Sequence, residues 1–199
     1  MEVTSELVKA LRDKTNSSMM ECRKALVEAN GDFAKAEEIL RVRGLSMADR
    51  KSGRTASQGL IHAYIHPGGK IGVLVEINCE TDFVARTDEF IGLAKDIAMH
   101  IAASVPLTIA REDVAPEILE AEHRVYEEQL KGSKKPENIW PKIIEGKLEA
   151  FYKANCLLEQ EFVKDASMTV GDLIKSLIAK TGENMVVRRF VRFKLGDES

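Results

Sequence analysis

Over the first roughly fifty residues, apolar side chains recur at helical spacing. Leu7, Val8 and Leu11 mark one face of a first helix, entered from Thr4 or Ser5. The break Lys14-Thr15-Asn16-Ser17 follows it. Ser18-Met19-Met20-Glu21 has the spacing of a capping box, in which the serine accepts from the amide three residues on and the glutamate reaches back. The helix it opens carries Cys22, Ala25, Leu26 and Ala29 and stops at Asn30-Gly31, where Gly31 suits a left-handed C-terminal position. Asp32 can cap a third helix with Phe33, Ala36, Ile39 and Leu40 on one face, ended by Gly44. Three short helices joined by tight turns make a small bundle, and so small a core is marginal in isolation.

From Leu45 to Gln58 the pattern weakens. LSMADRKSGRTASQ is polar, carries Arg50, Lys51 and Arg54, and contains Gly53 and several serines. It reads as a linker or a weakly packed helix, and its charges read as a solvated surface before a binding patch. Period-two runs then take over. Gly59–His66 and Ile71–Asn78 flank Pro67-Gly68-Gly69-Lys70, which is strong hairpin chemistry. Thr87 or Asp88 can cap a helix with Phe90, Ile91, Ala94, Ile97, Ala98 and Ile101, ending before Pro106. Two further helices are expected. One runs from about Ala115 to Gly132, with Pro116 in its first turn. The other runs from about Pro136 to Asn155, with Trp140, Ile143, Ile144, Leu148, Phe151 and Tyr152 at helical spacing. Thr169 opens another over Val170–Lys180, stopped by Gly182. Met185–Leu195 reads as a last strand that can complete a three-stranded antiparallel sheet with the hairpin. The predicted class is α+β. Residues 1–45 form a three-helix bundle, 46–58 a basic linker, and 59–199 a core of that sheet packed with several helices. No internal repeat or low-complexity segment interrupts this order.

One connection departs from the polar rule for loops. Asn78-Cys79-Glu80-Thr81-Asp82-Phe83-Val84-Ala85-Arg86-Thr87 joins a strand to a helix and holds a phenylalanine and a valine among acids and threonines. Loops lie on the surface. Phe83 therefore either tucks under the hairpin as a core plug or stands out as an aromatic anchor for a partner. Pattern alone favours the core plug and leaves the anchor open.

Composition narrows the functional classes. The net charge of −3 argues against nucleic acid as the main partner, because phosphate binding needs a basic face. No apolar run approaches the roughly 18 residues of a membrane span. The N-terminal MEVTSELVKALRDKT has no apolar h-region, so no signal peptide is expected and the cytoplasm is the default compartment. Cys22, Cys79 and Cys156 are odd in number and far apart. They suit neither a disulfide framework nor a zinc site, and read as small, half-buried apolar residues.

Catalytic chemistry finds no constellation. There is no GxxxxGK[ST] phosphate loop, and His66-Pro67-Gly68-Gly69-Lys70 sits between two strands, not before a helix. His62 and His66 share a strand face but stand about 13 Å apart at the strand rise per residue, too far for one metal. His100 on an apolar helix reads as a core or interface residue, and His123 among charges as solvated. No serine or cysteine sits in a nucleophile-elbow context. The pairs Glu37-Glu38 and Glu127-Glu128 lie on helix surfaces, where sequence neighbours do not face each other. Neither cofactor nor metal is expected.

The separated blocks of this sequence are more telling together. Thr81-Asp82-Phe83-Val84-Ala85-Arg86 resembles the TDFVA(K/R) signature of the bacterial elongation factor Ts family. Val8–Thr15, Met19–Leu26 and Glu28–Asp32 resemble that family's N-terminal ubiquitin-associated-type domain. Ile71–Glu76, Ile97–Ala103 and Thr169–Leu173 also match, in the family's order and over nearly the whole chain. The chain resembles the family's short form, with one hairpin module and an end just after Phe193-Lys194-Leu195-Gly196. The resemblance implies a guanine-nucleotide exchange factor for the GTPase elongation factor Tu, without covalent chemistry. It implies that Phe83 is a wedge inserted between helices of the GTPase and Asp82 its polar partner, a displacement that disturbs the magnesium site. Thr81 and Val84 would shape the loop, with Val84 packed on the core. Met19 and Met20 would add a second contact, though their pattern alone favours core packing. A homodimer is implied for the short form. The rival reading is a ubiquitin-associated-type binding adaptor without exchange activity.

Overall fold

A computed structural model describes residues 3–15, 17–133 and 135–197; Asn16 of the predicted break lies outside the described residues. In chain order the main elements are α1 (Ser5–Thr15), α2 (Met19–Glu28), α3 (Phe33–Lys51), β1 (Gln58–Ile65), β2 (Ile71–Cys79), α4 (Asp82–Ala85), α5 (Asp88–Ser104), α6 (Pro116–Lys131), α7 (Trp140–Asn155), β3 (Glu161–Phe162), β4 (Asp165–Thr169), α8 (Val170–Thr181) and β5 (Met185–Lys194). The fold is α+β. A three-stranded antiparallel sheet has the order β1-β2-β5, and β3 and β4 form a second, two-stranded sheet. Two compact units are distinguished. The first takes the chain through His62, Glu76–Ala94 and Asp172–Arg188, and the second takes Ala63–Val75, Lys95–Gly171 and the chain from Arg189.

In the first unit, α1, α2 and α3 enclose a core of Val8, Leu11, Cys22, Ala25, Leu26, Ala29, Ala36 and Leu40. The caps follow the sequence in part. The Ser18 hydroxyl accepts from the Glu21 amide at 3.2 Å, but the Glu21 carboxylate pairs with Lys24 and Arg43. Asn30 and Gly31 both turn at positive φ, and Asp32 caps α3 through the Lys35 amide.

Gly44 does not end α3, which continues to Lys51. A Cβ at Gly44 would sit 3.1 Å from the Ala179 side chain. The glycine therefore serves close packing of α3 on α8 and stays inside the helix. Ala48 is buried beyond it, and Asp49 pairs with Lys175 at 2.8 Å. The predicted linker or weakly packed helix is thus helical at its start, leaving 52–57 before β1.

The hairpin forms at Pro67–Lys70, with Gly68 and Gly69 at positive φ and the His66 amide donating to the Ile71 carbonyl. Val73, Val75, Ile77 and Cys79 alternate inward along β2, as the period of a half-buried strand requires. In α5, Phe90, Ala94, Ile97, Ala98 and Ile101 are buried. Ile91 is exposed and Leu93 takes the inward position. The predicted apolar face is therefore rotated slightly from the real one.

In the second unit, Arg111 ties the stretch before α6 to α7 and the turn after it. Its guanidinium pairs with Glu149 and Glu159 and lies 4.6 Å over the Tyr152 ring. His100 is fully buried. It bonds Gln160 at 2.9 Å and accepts from the Val163 amide at 3.2 Å. The β3–β4 hairpin that these bonds steady has no counterpart in the predicted elements.

Candidate functional site

The connection between β2 and α5 folds into a single helical turn, α4. Thr81 is extended, and its hydroxyl accepts from the Val84 amide at 3.3 Å, which starts the turn. The Glu183 carboxylate accepts from both the Thr81 amide, at 3.0 Å, and the Thr81 hydroxyl, at 2.6 Å. From below, the Cys79 thiol donates to the Thr81 carbonyl. Burial pushes that thiol's pKa up, and the nearby Glu183 charge adds to the shift, so Cys79 is held as a neutral thiol donor. Thr87 closes the far side: its hydroxyl donates to the Val84 carbonyl and accepts from the Phe90 amide, which opens α5.

This local bonding sets the side chains apart. Phe83 is 77% exposed, whereas Val84 is 6% exposed and Ala85 is buried beside it. The core-plug reading of Phe83 is excluded in this structure. Asp82 sits next to the ring and pairs with Arg86 one turn on, at 2.8 Å. That exposed pair contributes little to stability.

Met19 and Met20 stand on the first turn of α2, in the same unit as the loop. They are 44% and 64% exposed, not packed in the core as their pattern alone favoured. Thr81, Asp82, Phe83 and Val84 thus lie on one short turn that leaves Phe83 exposed, and the two methionines are exposed apolar side chains on the bundle.

Two residues of the loop's support gave no signal in the sequence. Glu183 is 102 residues from Thr81. Asn184 is 1% exposed, and its amide donates to Glu80 while its side chain donates to the Ser52 and Arg54 carbonyls. Both follow a helix stop, where the sequence reads only as a turn.

Elsewhere the chemistry is sparse. Among the described residues no group of three or more His, Cys, Asp or Glu could hold a metal ion, and no helix is long and apolar enough to cross a membrane. All three cysteines are free and buried. A cleft of about 380 Å³ is lined by Ala56, Ser57, Glu76, Asn78, Val186 and Arg188.

Comparison with known proteins gives one answer. Residues 1–197 match the family model described as elongation factor TS. A protein named elongation factor Ts from Fervidobacterium nodosum is 55% identical over 99% of this chain and 100% of its own length. One from Coprothermobacter proteolyticus is 56% identical over the same shares. One from Thermoanaerobacter sp. is 54% identical over 98% of this chain and 96% of its own.

Proposed function

The chain belongs to the elongation factor Ts family, and from that premise we propose that it is a guanine-nucleotide exchange factor for elongation factor Tu, acting in the cytoplasm. The observation that carries this reading is Phe83, exposed on a short turn whose backbone is held at Thr81 and whose next residue, Val84, is buried. A large ring kept in water is a cost that a partner pocket relieves, and aromatic residues are common hot spots of interfaces.

An exchange factor makes no covalent change. It binds the GTPase better without nucleotide than with it, and by linkage it lowers nucleotide affinity by the same factor. Guanosine diphosphate and its magnesium are held in the GTPase by charge, so displacing the loops around the metal is an effective lever. In this reading Phe83 enters between helices of the GTPase and Asp82 makes the polar contact beside it. The displacement disturbs magnesium coordination and frees the diphosphate. Thr81 and Val84 shape the turn. Met19 and Met20 add a second contact from the ubiquitin-associated-like domain, proposed as residues 1–45, with 46–58 connecting it to the exchange core.

We further propose that two copies of the chain pair. Ile65, Phe193 and Leu195 of the second unit are exposed apolar side chains on or next to β1 and β5, in keeping with a surface that a second subunit covers.

The deciding measurement is release of labelled guanosine diphosphate from elongation factor Tu. The parent should accelerate it, and Phe83→Ala should lose most of the acceleration. A parent without effect removes the exchange reading and leaves the adaptor reading of the helical bundle. A fully active Phe83→Ala removes only the wedge.

A further inference from the structure

Three consecutive residues, Gly182, Glu183 and Asn184, connect α8 to β5, and together they hold two separate pieces of the first unit. Gly182 ends α8 at positive φ, and its carbonyl accepts from the Lys51 ammonium at the end of α3. Asn184 is buried and donates to the Ser52 and Arg54 carbonyls just beyond α3. Glu183, between them, accepts twice from Thr81. The residues that bear Phe83 and the end of α3 are therefore fastened to one short turn.

The loop needs such a fastening. Phe83 is exposed, so packing of its own ring does not set its direction. The backbone of α4 sets it, and α4 has four residues, far fewer than a helix needs to persist alone. Its start depends on the Thr81 hydroxyl accepting from Val84. Glu183 fixes that hydroxyl: with the O–H committed to the carboxylate, the oxygen lone pairs face the Val84 amide. The second bond, from the Thr81 amide, holds the backbone at the same point. Charge-assisted bonds of this kind are about twice as strong as neutral ones.

We infer that Glu183 is a positioning residue for nucleotide exchange, setting the direction of Phe83 through Thr81. This rests on the exchange reading above. Without Glu183 the turn samples other arrangements, and apparent affinity for the GTPase falls by the fraction of time spent in the competent one. Both Thr81 donors can then turn to water, so the protein stays folded while the wedge loses its aim. Glu183→Gln is isosteric. Its amide oxygen can accept from the Thr81 N–H, and its amide nitrogen can donate to the Thr81 hydroxyl.

The test is a double-mutant cycle on the full chain. Parent, Glu183→Ala, Glu183→Gln, Phe83→Ala and Phe83→Ala/Glu183→Ala are titrated against elongation factor Tu loaded with labelled guanosine diphosphate. Thermal unfolding of each is recorded, with amide hydrogen exchange at Thr81 and Val84. Glu183→Ala should raise the concentration for half-maximal release about tenfold and speed exchange of the two amides, with the unfolding midpoint lowered by only about 3–6 °C, the same loss read as stability. Glu183→Gln should stay within about threefold of the parent by the same measure. In the Phe83→Ala background the effect of Glu183→Ala should vanish, because Glu183 acts through that ring. An equal effect in both backgrounds, or amides that stay protected in Glu183→Ala, overturns the inference and leaves the exchange function standing. A parent that does not accelerate release overturns both.

Discussion

Phe83 and Val84 are chain neighbours with opposite environments: the ring is 77% exposed and the valine 6%. The capped turn from Thr81 produces this split, and it separates activity from stability. Phe83→Ala should leave unfolding free energy within about 0.5 kcal/mol, as for other exposed positions. It should weaken partner binding by roughly 1.5–3 kcal/mol, the value of burying such a ring. At 1.4 kcal/mol per decade that is about ten- to a hundredfold. Val84→Ala should do the reverse, costing about 1–3 kcal/mol of stability through the cavity it leaves. Urea unfolding alongside nucleotide release separates the two. A Phe83→Ala protein that is destabilised as much as Val84→Ala would show that the ring packs at home after all.

Much of this was legible from local patterns. Helix starts at Ser18 and Asp32, the Pro67–Lys70 turn and the inward alternation of β2 are written in neighbouring residues, and the structure places them there. Gly44 misled because the same residue type ends helices and lets helices approach, and only the position of Ala179 separates the two uses. The β3–β4 hairpin was hidden because β3 has two residues and most of β4 is exposed. Such strands carry no apolar alternation to detect. Phe83 could be singled out from sequence as unusual, but its exposure could not. The turn that carries it is bonded at Thr81 to Glu183, 102 residues away, and no local pattern encodes such a bond.

His100 should give stability a pH dependence near neutrality. Burial lowers its pKa from the usual value of about 6.5, against a smaller raising effect of Gln160. Its Nδ1 accepts from the Val163 amide, so the folded protein holds it neutral. Asp96, one turn earlier on α5, and Lys164, next to Val163, are paired with each other at 2.6 Å. The unfolded chain takes up a proton near pH 6.5 and the folded one does so only at lower pH. Stability from this group is therefore complete above about 6.5 and is lost as pH falls through the lowered folded value. His100→Asn keeps an acceptor for Val163 and removes the titration. Between about pH 6.5 and 5, unfolding free energy should fall more steeply for the parent than for the variant. Parallel slopes would assign the loss to other groups.

Glycine positions should differ in sign. Gly59 has φ +140°, and a Cβ there would lie 2.1 Å from the Ile77 carbonyl oxygen and 2.7 Å from the Asn78 Cα. Both are backbone atoms of the paired strand and cannot move aside cheaply. Gly59→Ala should cost roughly 2–4 kcal/mol from strain and overpacking together. Gly92 lies inside α5, and a Cβ there meets nothing within 4 Å. Gly92→Ala should add about 0.5–1 kcal/mol by helix propensity. Denaturant midpoints of the two variants should move in opposite directions from the parent.

Self-association can be tested without touching the exchange loop. Ile65, Phe193 and Leu195 are exposed, so replacing them removes no core packing. A charge introduced within an apolar interface is left unpaired there. Light scattering of the parent at tens of micromolar should give twice the chain mass. Ile65→Lys and Phe193→Glu should shift the protein toward single-chain mass while leaving its unfolding midpoint at dilute concentration unchanged. If two subunits must act together, these variants also lose nucleotide release, and raising their concentration restores it by mass action. A parent that is monomeric at that concentration and fully active would end the pairing proposal and leave Phe83 to act from a single chain.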